Sequence, residues 1–364
     1  MSVLAWPATR TRNTNPYPFR VQDSTSAFGV STSEFNLRNV LRVGWDVIHV
    51  HWPEVPLRIR YFPVRLIVCV GILVLLRCHK LIGRSKIVWT THNLEPHERR
   101  VHWLTRWYFS RFLRMVDGTI SLSEFGRDEL FRRHPSLQEK ASVVVRHGHY
   151  RGDYPTEVDR NAARKRLSLE DDDRVLLSLG MIRPYKNLPL LASLVHRIDH
   201  PKLKLVIAGP GKSPKDETIL RDLAEQDHRI RLAIAFLPAQ EVAEYFAACD
   251  LVVLPYSDIL NSGSLLLALS MSRPALITDK GATPEIAGLV GHSWVQMYSG
   301  ELTMEAIQRS LDAGRPEGRP DLSHFEWPLT GQLTSTFFRR LIGQPITADS
   351  EQAALESLPV EKLT

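Results

Sequence analysis

Short apolar runs alternate with longer amphipathic segments along most of the 364 residues. In the first half, five runs have the length and β-branched composition of buried strands: SVLAWPA, DVIHVHWPE, KIVWTTHN, VDGTISLS and ASVVVRHG. Helical periodicity fills the gaps between them, notably at 64–80, 98–114 and 123–133. Strands that alternate with helices predict a parallel sheet covered by helices on both faces.

A polar, charge-rich stretch at 151–174 interrupts this pattern, which then resumes in the second half. The later strand-like runs are RVLLSLG, KLKLVIAGPG, RIRLAIAFL, LVVLPYS, PALITDKG and HSWVQMY. The chain length also indicates two domains. We predict an α/β architecture of two doubly wound, Rossmann-like domains that face each other across a cleft. The first comprises 1–155 with a returning helix at 328–345, the second comprises 165–327, and 346–364 form a weakly ordered tail.

The composition of the chain restricts the cellular compartment and the class of binding partner that we expect. Three cysteines without a CxxC pair argue against disulfides and structural zinc, and favour a reducing cytoplasm. Residues 1–150 hold 22 Lys and Arg against 11 Asp and Glu, whereas 151–364 hold 24 against 29. A basic first half predicts an anionic partner, either nucleic acid or a membrane surface. Its basic residues do not interleave with aromatics in a nucleic-acid-binding motif, so we expect no nucleic acid.

The most apolar run is VRLIVCVGILVLL at 64–76, which arginines interrupt at the start and close at the end. About 11 consecutive apolar residues are too few for a membrane span, which needs about 20. We expect a buried helix. The alternative is an interfacial helix whose flanking arginines meet anionic headgroups on the inner face of the plasma membrane.

Ligands of open α/β sheets bind beyond the carboxyl ends of the strands, so the residues that follow each strand are the candidates for a site. Arg183 and Lys186, with Asn187 beside them, follow RVLLSLG. Two cations in this position suit a diphosphate, since arginine can bind two oxygens and lysine adds a point charge. The Gly209-Pro210-Gly211 turn after the next strand would let a ligand approach backbone amides. A solvated loop and an ordinary turn are the alternatives.

The stretch Asn261-Ser262-Gly263-Ser264 separates the strand-like LVVLPY from the helix-like LLLALSM. The N-terminus of a helix carries about half a positive charge and favours phosphate. Glu285 begins another helix after PALITDKG, where its carboxylate could accept hydrogen bonds from ribose hydroxyls. Simple helix capping is the alternative interpretation for both segments.

Taken in order, LGMIRPYKN, LVIAGPG, ACDLVVLPYSD and LNSGSLLLALSMSRPALITDKGATPEI resemble the nucleotide-sugar domain of GT-B glycosyltransferases over residues 179–286. The resemblance implies that Arg183 and Lys186 bind the donor diphosphate and that residues 261–264 bind it from the helix start. It implies that Glu285 binds the ribose and that His149, at the domain junction, touches the donor.

One feature departs from the retaining members of that family, which have two glutamates eight residues apart around the turn. The corresponding positions here are Leu260 and Ala268, or Ile259 and Leu267, none of which ionises. The LNSG form with its flanking PY and SRP is loosely similar to bacterial exopolysaccharide mannosyltransferases thought to invert the anomeric centre.

An inverting transfer needs a base that takes the proton of the acceptor hydroxyl, and the resemblance places that base in the first domain. Strand alternation puts His51 on the same face as His49, with Trp52 beside it as a sugar-stacking candidate. His92 matches the family's strand-end histidine near the donor sugar. Glu95 is the first candidate for the base and Glu54 the second. Structural roles remain open for each of these side chains.

The loop after the first strand resembles the acceptor-side loop of the family, so Asn15 and Tyr17 are acceptor-binding candidates. EDDDR at 170–174 precedes a strand and is expected to be a solvated turn. We predict no metal and no cofactor beyond a GDP- or UDP-linked sugar as co-substrate, because Arg183, Lys186 and the helix N-terminus can stabilise the leaving diphosphate.

These features predict a hexosyltransferase that moves a sugar, with mannose as the subgroup's choice, to a glycan or polyprenyl-linked acceptor. Two alternatives stay open. One is a nucleotide-sugar epimerase or hydrolase on the same scaffold, and the other is a non-catalytic binding subunit.

Overall fold

The computed structural model describes residues 1–12, 15–94, 102–155 and 157–345. The chain divides into two compact units, one formed by Met1–Gly148 with the segment that begins at His324, and the other by His149–Ser323. The predicted tail at 346–364 lies outside the described residues.

The first unit contains one parallel six-stranded sheet in the order β2-β1-β3-β4-β5-β6. Its strands are β1 (Ser2–Trp6), β2 (Ser31–Glu34), β3 (Val47–Val50), β4 (Lys86–Thr91), β5 (Gly118–Ser121) and β6 (Ala141–Val144). Its helices up to the boundary are α1 (Tyr17–Ser26), α2 (Leu37–Val40), α3 (Phe62–Leu81), α4 (His102–Met115) and α5 (Glu124–Arg133). Five strands coincide with predicted runs, whereas the polar edge strand β2 carries no apolar pattern.

The second unit contains another parallel six-stranded sheet, in the order β12-β11-β10-β7-β8-β9. Its strands are β7 (Arg174–Leu179), β8 (Leu203–Ala208), β9 (Ile230–Ala233), β10 (Leu251–Leu254), β11 (Ala275–Thr278) and β12 (Val295–Tyr298). Its helices are α6 (Arg160–Arg166), α7 (Leu188–Arg197), α8 (Pro214–Gln226), α9 (Ala239–Ala248), α10 (Gly263–Ser270), α11 (Thr283–Val290) and α12 (Met304–Asp312). This is the strand order of a Rossmann fold.

The last described helix, α13 (Trp327–Ile342), returns to the first unit. Leu333, Phe337 and Phe338 join the core that β1, β3 and β4 build with their valines. Gly118 of β5 leaves room for this helix, since a Cβ atom there would lie 2.8 Å from the Phe337 ring. The sequence placed this returning helix at 328–345.

The boundary between the units falls earlier than the predicted residue 155. The backbone N–H of Tyr150 donates to Oγ of Ser270 at 2.9 Å, and the guanidinium of Arg151 donates to the Pro320 carbonyl at 2.7 Å. These bonds tie the segment that begins at His149 to the second unit.

The helix α3 differs from its predicted form. It is 20 residues long, and among the described residues it is the one helix whose length and apolar composition would suffice to cross a membrane, although only a third of it is buried. The core helix of a soluble protein can satisfy the same two criteria. The expectation of a buried helix is therefore wrong for one face of α3, which is apolar and exposed.

Candidate functional site

The strand order of the second unit reverses between β7 and β10. β7 and β10 are neighbours in the sheet, and the chain leaves them toward β8 on one side and β11 on the other. The loops that follow the two strands therefore diverge at their carboxyl ends, which is where open α/β sheets bind ligands. These loops contain the predicted cations at 183–187 and the predicted turn at 261–264.

Lys186 and Ser264 meet at Gly180, the residue that follows β7. A Cβ atom on Gly180 would lie 2.7 Å from Nζ of Lys186 and 3.4 Å from Oγ of Ser264. Gly180 has a φ of 128°, a conformation that only glycine adopts without strain. The structure thus brings the loop that contains Lys186 close to the turn at residues 261–264, as the sequence predicted.

Tyr256, which the sequence analysis did not select, connects the same two segments. Its hydroxyl lies near the hydroxyls of Ser262 and Ser264, which oppose the effect of burial on its pKa. Nζ of Lys186 lies 5.5 Å from the centroid of its ring. Burial raises the pKa of Tyr256 to about 12, so the hydroxyl stays neutral and can donate to one serine and accept from the other. The Pro255-Tyr256 pair that follows β10 is the sequence feature that could have indicated this role.

Lys186 is an ammonium group held out of water without a carboxylate. Its side chain is buried, and burial lowers its pKa, with Arg183 nearby adding to the shift. Arg183 is half-buried and donates to the sulfur of Met181 at 3.8 Å. Across the described ranges neither cation has an acidic partner at ion-pair distance. An incoming anion would compensate both charges at once.

Asn187 makes the turn that holds these cations possible. It adopts the left-handed conformation, with φ 51° and ψ 36°, between the 3₁₀ turn at Pro184–Lys186 and α7. Asparagine tolerates this region better than most residues. Asn187 thus shapes the loop that contains Arg183 and Lys186, and its contact with a donor stays a prediction.

The N-terminus of α10 combines a side-chain cap with a close neighbour, the hydroxyl of Tyr150. Oγ of Ser262 accepts from the N–H of Leu265 at 3.0 Å, so this serine is a helix cap. The hydroxyl of Tyr150 lies 3.1 Å from the position of a Cβ atom on Gly263. His149 precedes that tyrosine and accepts from the N–H of Arg151 at 3.2 Å through Nδ1. The predicted donor residues 149 and 261–264 thus belong to one unit.

Gly209 and Gly211 have packing partners on the protein side. A Cβ atom on Gly209 would collide with the carbonyl of Gly180, and one on Gly211 would collide with the carboxylate of Glu217. Gly209 is thus required for the loops after β7 and β8 to lie together. Direct contact of these glycines with a donor stays a prediction.

Glu285 lies in the first turn of α11 and is half-buried. The loop that leads to this helix packs against the turn after β10, because the N–H of Ala282 donates to the Leu260 carbonyl at 3.0 Å. The two helix N-termini are therefore neighbours. This arrangement is compatible with a diphosphate at α10 and a ribose at α11.

The first unit has its own reversal of strand order, between β1 and β3. His51 follows β3, and its Nδ1 lies 3.2 Å from Nε2 of His92, which follows β4. The ring of Trp52 stacks on that of His92 with centroids 4.9 Å apart. Three side chains that the sequence selected separately thus form one cluster.

The imidazoles of this cluster are neutral at physiological pH. Burial lowers the pKa of His92 to about 3 and that of His51 well below its usual value. One ring must therefore donate the hydrogen bond between them and the other accept it. Nε2 of His51 is buried without a hydrogen-bond partner among the described residues. His49 shares the predicted face and binds Oγ1 of Thr90 at 2.7 Å, so it has a structural role.

The predicted acceptor residues Asn15 and Tyr17 support this cluster from the side. Oδ1 of Asn15 accepts from the N–H of Tyr17 at 3.1 Å. The Tyr17 ring is buried and contacts the rings of His51 and His92, with centroids 5.8 and 4.9 Å away. Tyr17 thus packs against the histidine cluster.

The loop before Asn15 is organised by a residue that the sequence analysis missed. Oε2 of Glu34 accepts from the backbone N–H groups of Ala8, Thr9 and Arg10 at 3.1, 2.7 and 3.0 Å. Three amides on one carboxylate oxygen hold the loop after β1 in a defined shape. No sequence pattern predicts this role of Glu34, because Glu34 is the last residue of the polar edge strand β2.

Of the two candidates for the base, Glu54 lies in the described residues and Glu95 lies outside them. The Glu54 side chain is buried, and burial raises its pKa although Arg58, 3.5 Å away, and a hydrogen bond from Asn93 oppose the shift. Asn93 follows His92, so Glu54 adjoins the end of β4. Its exact role stays a prediction.

The acidic run EDDDR is a turn whose last aspartate, Asp173, is buried and accepts from the N–H of Glu170 at 2.9 Å. Full solvation of this turn was therefore a wrong expectation for Asp173. Within the described ranges, no group of three or more His, Cys, Asp or Glu side chains is arranged to hold a metal ion.

Comparison with known proteins identifies the family. A family model described as glycosyl transferases group 1 matches residues 173–312. A GDP-mannose:glycolipid 4-beta-D-mannosyltransferase of Xanthomonas campestris pv. campestris is 33% identical over 347 residues, which are 91% of this chain and 90% of that protein. The chain is a glycosyltransferase.

Solved structures agree on the fold of this glycosyltransferase. Sucrose-phosphate synthase from Thermosynechococcus elongatus superposes with a TM-score of 0.64 at 13% identity, over 98% of this chain and 96% of that one. Anabaena HepE, in complex with UDP and glucose, superposes with a TM-score of 0.62 at 13% identity, over 98% and 100%. The predicted GT-B fold of two Rossmann-like units is confirmed. Family membership also favours glycosyl transfer over an epimerase, a hydrolase or a non-catalytic subunit.

Proposed function

We propose that this glycosyltransferase moves mannose from GDP-mannose to a glycolipid acceptor, with inversion at the anomeric carbon and without a bound metal ion. The observation that carries the proposal is the meeting of Lys186 and Ser264 at Gly180, at the reversal of strand order. A buried ammonium without a carboxylate, beside a helix N-terminus, suits a leaving diphosphate.

The choice of donor and acceptor rests on the Xanthomonas relative, whose name specifies GDP-mannose, a glycolipid and a β linkage. GDP-mannose carries its sugar in the α configuration, so a β product requires inversion. The absence of a carboxylate at positions 259, 260, 267 and 268 points the same way, since the sugar-facing glutamate of retaining members has no counterpart there.

In the proposed reaction the acceptor hydroxyl attacks the anomeric carbon from the face opposite the diphosphate. The new bond joins that carbon to the acceptor oxygen, and the bond from the carbon to the diphosphate oxygen breaks. Glu95 or Glu54 takes the acceptor proton. Lys186, Arg183 and the amides at the start of α10 receive the negative charge that develops on GDP.

A glycolipid acceptor would be presented at a membrane, and we include peripheral contact with the inner face of an anionic plasma membrane in the proposal. The net charge of +11 on residues 1–150 supports this contact, because anionic lipid attracts basic segments.

The test is a donor screen followed by product analysis. A ligand at about 100 times its dissociation constant stabilises a protein by about 2.7 kcal/mol, so GDP and GDP-mannose should raise the unfolding temperature more than UDP and UDP-sugars. Incubation with GDP-mannose, a lipid extract and a chelator should yield a β-mannoside. Stabilisation by uridine nucleotides alone would contradict the donor, an α-mannoside would contradict inversion, and loss of transfer with the chelator would contradict metal independence.

A further inference from the structure

The helix α3 of the first unit is apolar on both of its faces, unlike an ordinary surface helix. Arg65, Cys69, Ile72, Leu76 and His79 are buried at intervals of three and four residues, which defines the inward face. That face contains polar groups at both ends. The opposite face should be polar in a helix that meets water.

The outward face is apolar instead. Ile67, Val74 and Leu81 are 70%, 54% and 66% exposed, and Val64 and Val70 lie on the same side. We call these five residues the apolar face of α3. A helix of 20 residues is about 30 Å long, so this surface is larger than scattered exposed side chains would produce.

The Arg65 and His79 side chains of the inward face are hydrogen-bonded to backbone carbonyls of the first unit. Nε of Arg65 donates to the Ile59 carbonyl at 2.6 Å, and Nε2 of His79 bonds the Val40 carbonyl at 2.8 Å. Cys69 packs with Leu104 and Tyr108 of α4. Crossing a membrane would break these contacts, so α3 stays on its unit and offers only its outward face.

The surroundings of the apolar face are basic. Residues 55–94 contain seven Lys and Arg and no Asp or Glu. Arg60, Arg77 and Arg84 are exposed, and no ion pair joins them to another described residue. The exposed Trp103 of α4 lies beside Phe62 at the start of α3, with ring centroids 5.9 Å apart. Tryptophan favours the interface between lipid and water.

We propose that the apolar face of α3 inserts into the surface of an anionic bilayer, with Arg60, Arg77 and Arg84 bound to lipid headgroups. The inference deepens the proposed function, on which it rests for the glycolipid that the membrane presents. Charge complementarity selects this occupant, because a second copy of the same face would bring the same arginines together. An apolar helix face lined by basic residues is the arrangement that binds membranes in the interface plane.

The experiment measures binding of the full chain to vesicles that contain no glycolipid, with no donor present. Vesicles of phosphatidylcholine with phosphatidylglycerol should bind the protein, and vesicles of phosphatidylcholine alone should bind it much less. Ile67→Glu and Val74→Glu should each weaken binding by about tenfold or more, since each removes an exposed apolar side chain from lipid. Ile67→Ser should weaken it without adding charge.

Phe236→Glu is the matched control, because Phe236 is 68% exposed and belongs to the second unit. It should bind vesicles as the wild type does. Thermal unfolding of every variant should match the wild type, since the substituted side chains are exposed. Equal loss of binding in Phe236→Glu and Ile67→Glu would overturn the proposal.

Three further outcomes would also overturn it. If the wild-type protein does not bind anionic vesicles, it has no membrane-binding surface. A dimer that Ile67→Glu dissociates, seen by light scattering, would assign the face to a second copy. Protein that resists alkaline extraction from vesicles would span the bilayer. Transfer of mannose to a detergent-dispersed acceptor tests the proposed function separately, and Ile67→Glu should retain it.

Discussion

Replacing Gly180 with alanine perturbs the donor site by a single methyl group. The new Cβ atom would lie 2.7 Å from Nζ of Lys186, whereas ordinary contacts begin near 3.4 Å. The flexible end of the lysine can yield, so the ammonium should move by about 1 Å. If its distance to a phosphate oxygen grows from about 3 to about 4 Å at an effective dielectric constant of about 20, the attraction falls by about 1.4 kcal/mol, or about tenfold in affinity.

The same substitution strains the backbone, because φ at Gly180 is 128°. Such strain destabilises a protein by about 1–3 kcal/mol. Gly291→Ala separates the two effects. Gly291 has a φ of 102°, and its nearest neighbour, Oγ of Ser293, would lie 4.0 Å from the new Cβ atom. Both variants should lose stability, but only Gly180→Ala should lose affinity for GDP.

Isothermal titration with GDP and GMP measures this difference. Gly180→Ala should weaken GDP binding by about tenfold and weaken GMP binding less, because the lysine is assigned to the diphosphate. Wild-type affinity for GDP in Gly180→Ala, or equal losses in Gly180→Ala and Gly291→Ala, would refute the reasoning.

Three other predictions concern single side chains. Tyr256→Phe removes a buried hydroxyl that lies near two serines of the turn, and the affinity for GDP, measured by calorimetry, should fall severalfold. Glu95→Gln should lower kcat by a factor of about 10²–10⁴ and leave donor affinity unchanged. Normal turnover of Glu95→Gln would assign the base to Glu54 instead. Glu54→Gln would then be the variant that lowers kcat by this factor. The buried His49 has its pKa lowered to about 3, so its contribution to stability is complete above about pH 6.5 and is lost as the pH falls toward 3, by about 2 kcal/mol at pH 5. Denaturant unfolding from pH 7 to 5 should show this loss in the wild type and less of it in His49→Gln.

The sheets were predictable because parallel strands that are buried on both faces consist of continuous apolar runs in the sequence. The strands β7 and β10 each lead into a loop of cationic or small polar residues, and this composition indicated Lys186 and residues 261–264. The edge strand β2 was not predictable, because STSE has neither apolar composition nor alternation. The boundary at Gly148 depends on hydrogen bonds made by Tyr150 and Arg151, which no local pattern encodes.

The finer parts of the site depend on contacts between distant segments. The role of Tyr256 follows from its approach to Lys186 and to two serines, and that of Glu34 from three amides that lie 24 to 26 residues away. The exposure of α3 was equally hidden, since periodicity shows that a helix has two faces but not which face meets the protein. Here Arg65 is buried and Ile67 is exposed, the reverse of the ordinary preference.

The central claim is that Lys186, Arg183 and the start of α10 bind the donor diphosphate. The most direct measurement is the affinity of Lys186→Ala for GDP, with Lys165→Ala of α6 as the control, because Lys165 is an exposed lysine of the same unit. We predict that Lys186→Ala binds GDP at least about tenfold more weakly than the wild type, and that Lys165→Ala binds it normally. Unchanged affinity of correctly folded Lys186→Ala for GDP would contradict the assignment of the donor site.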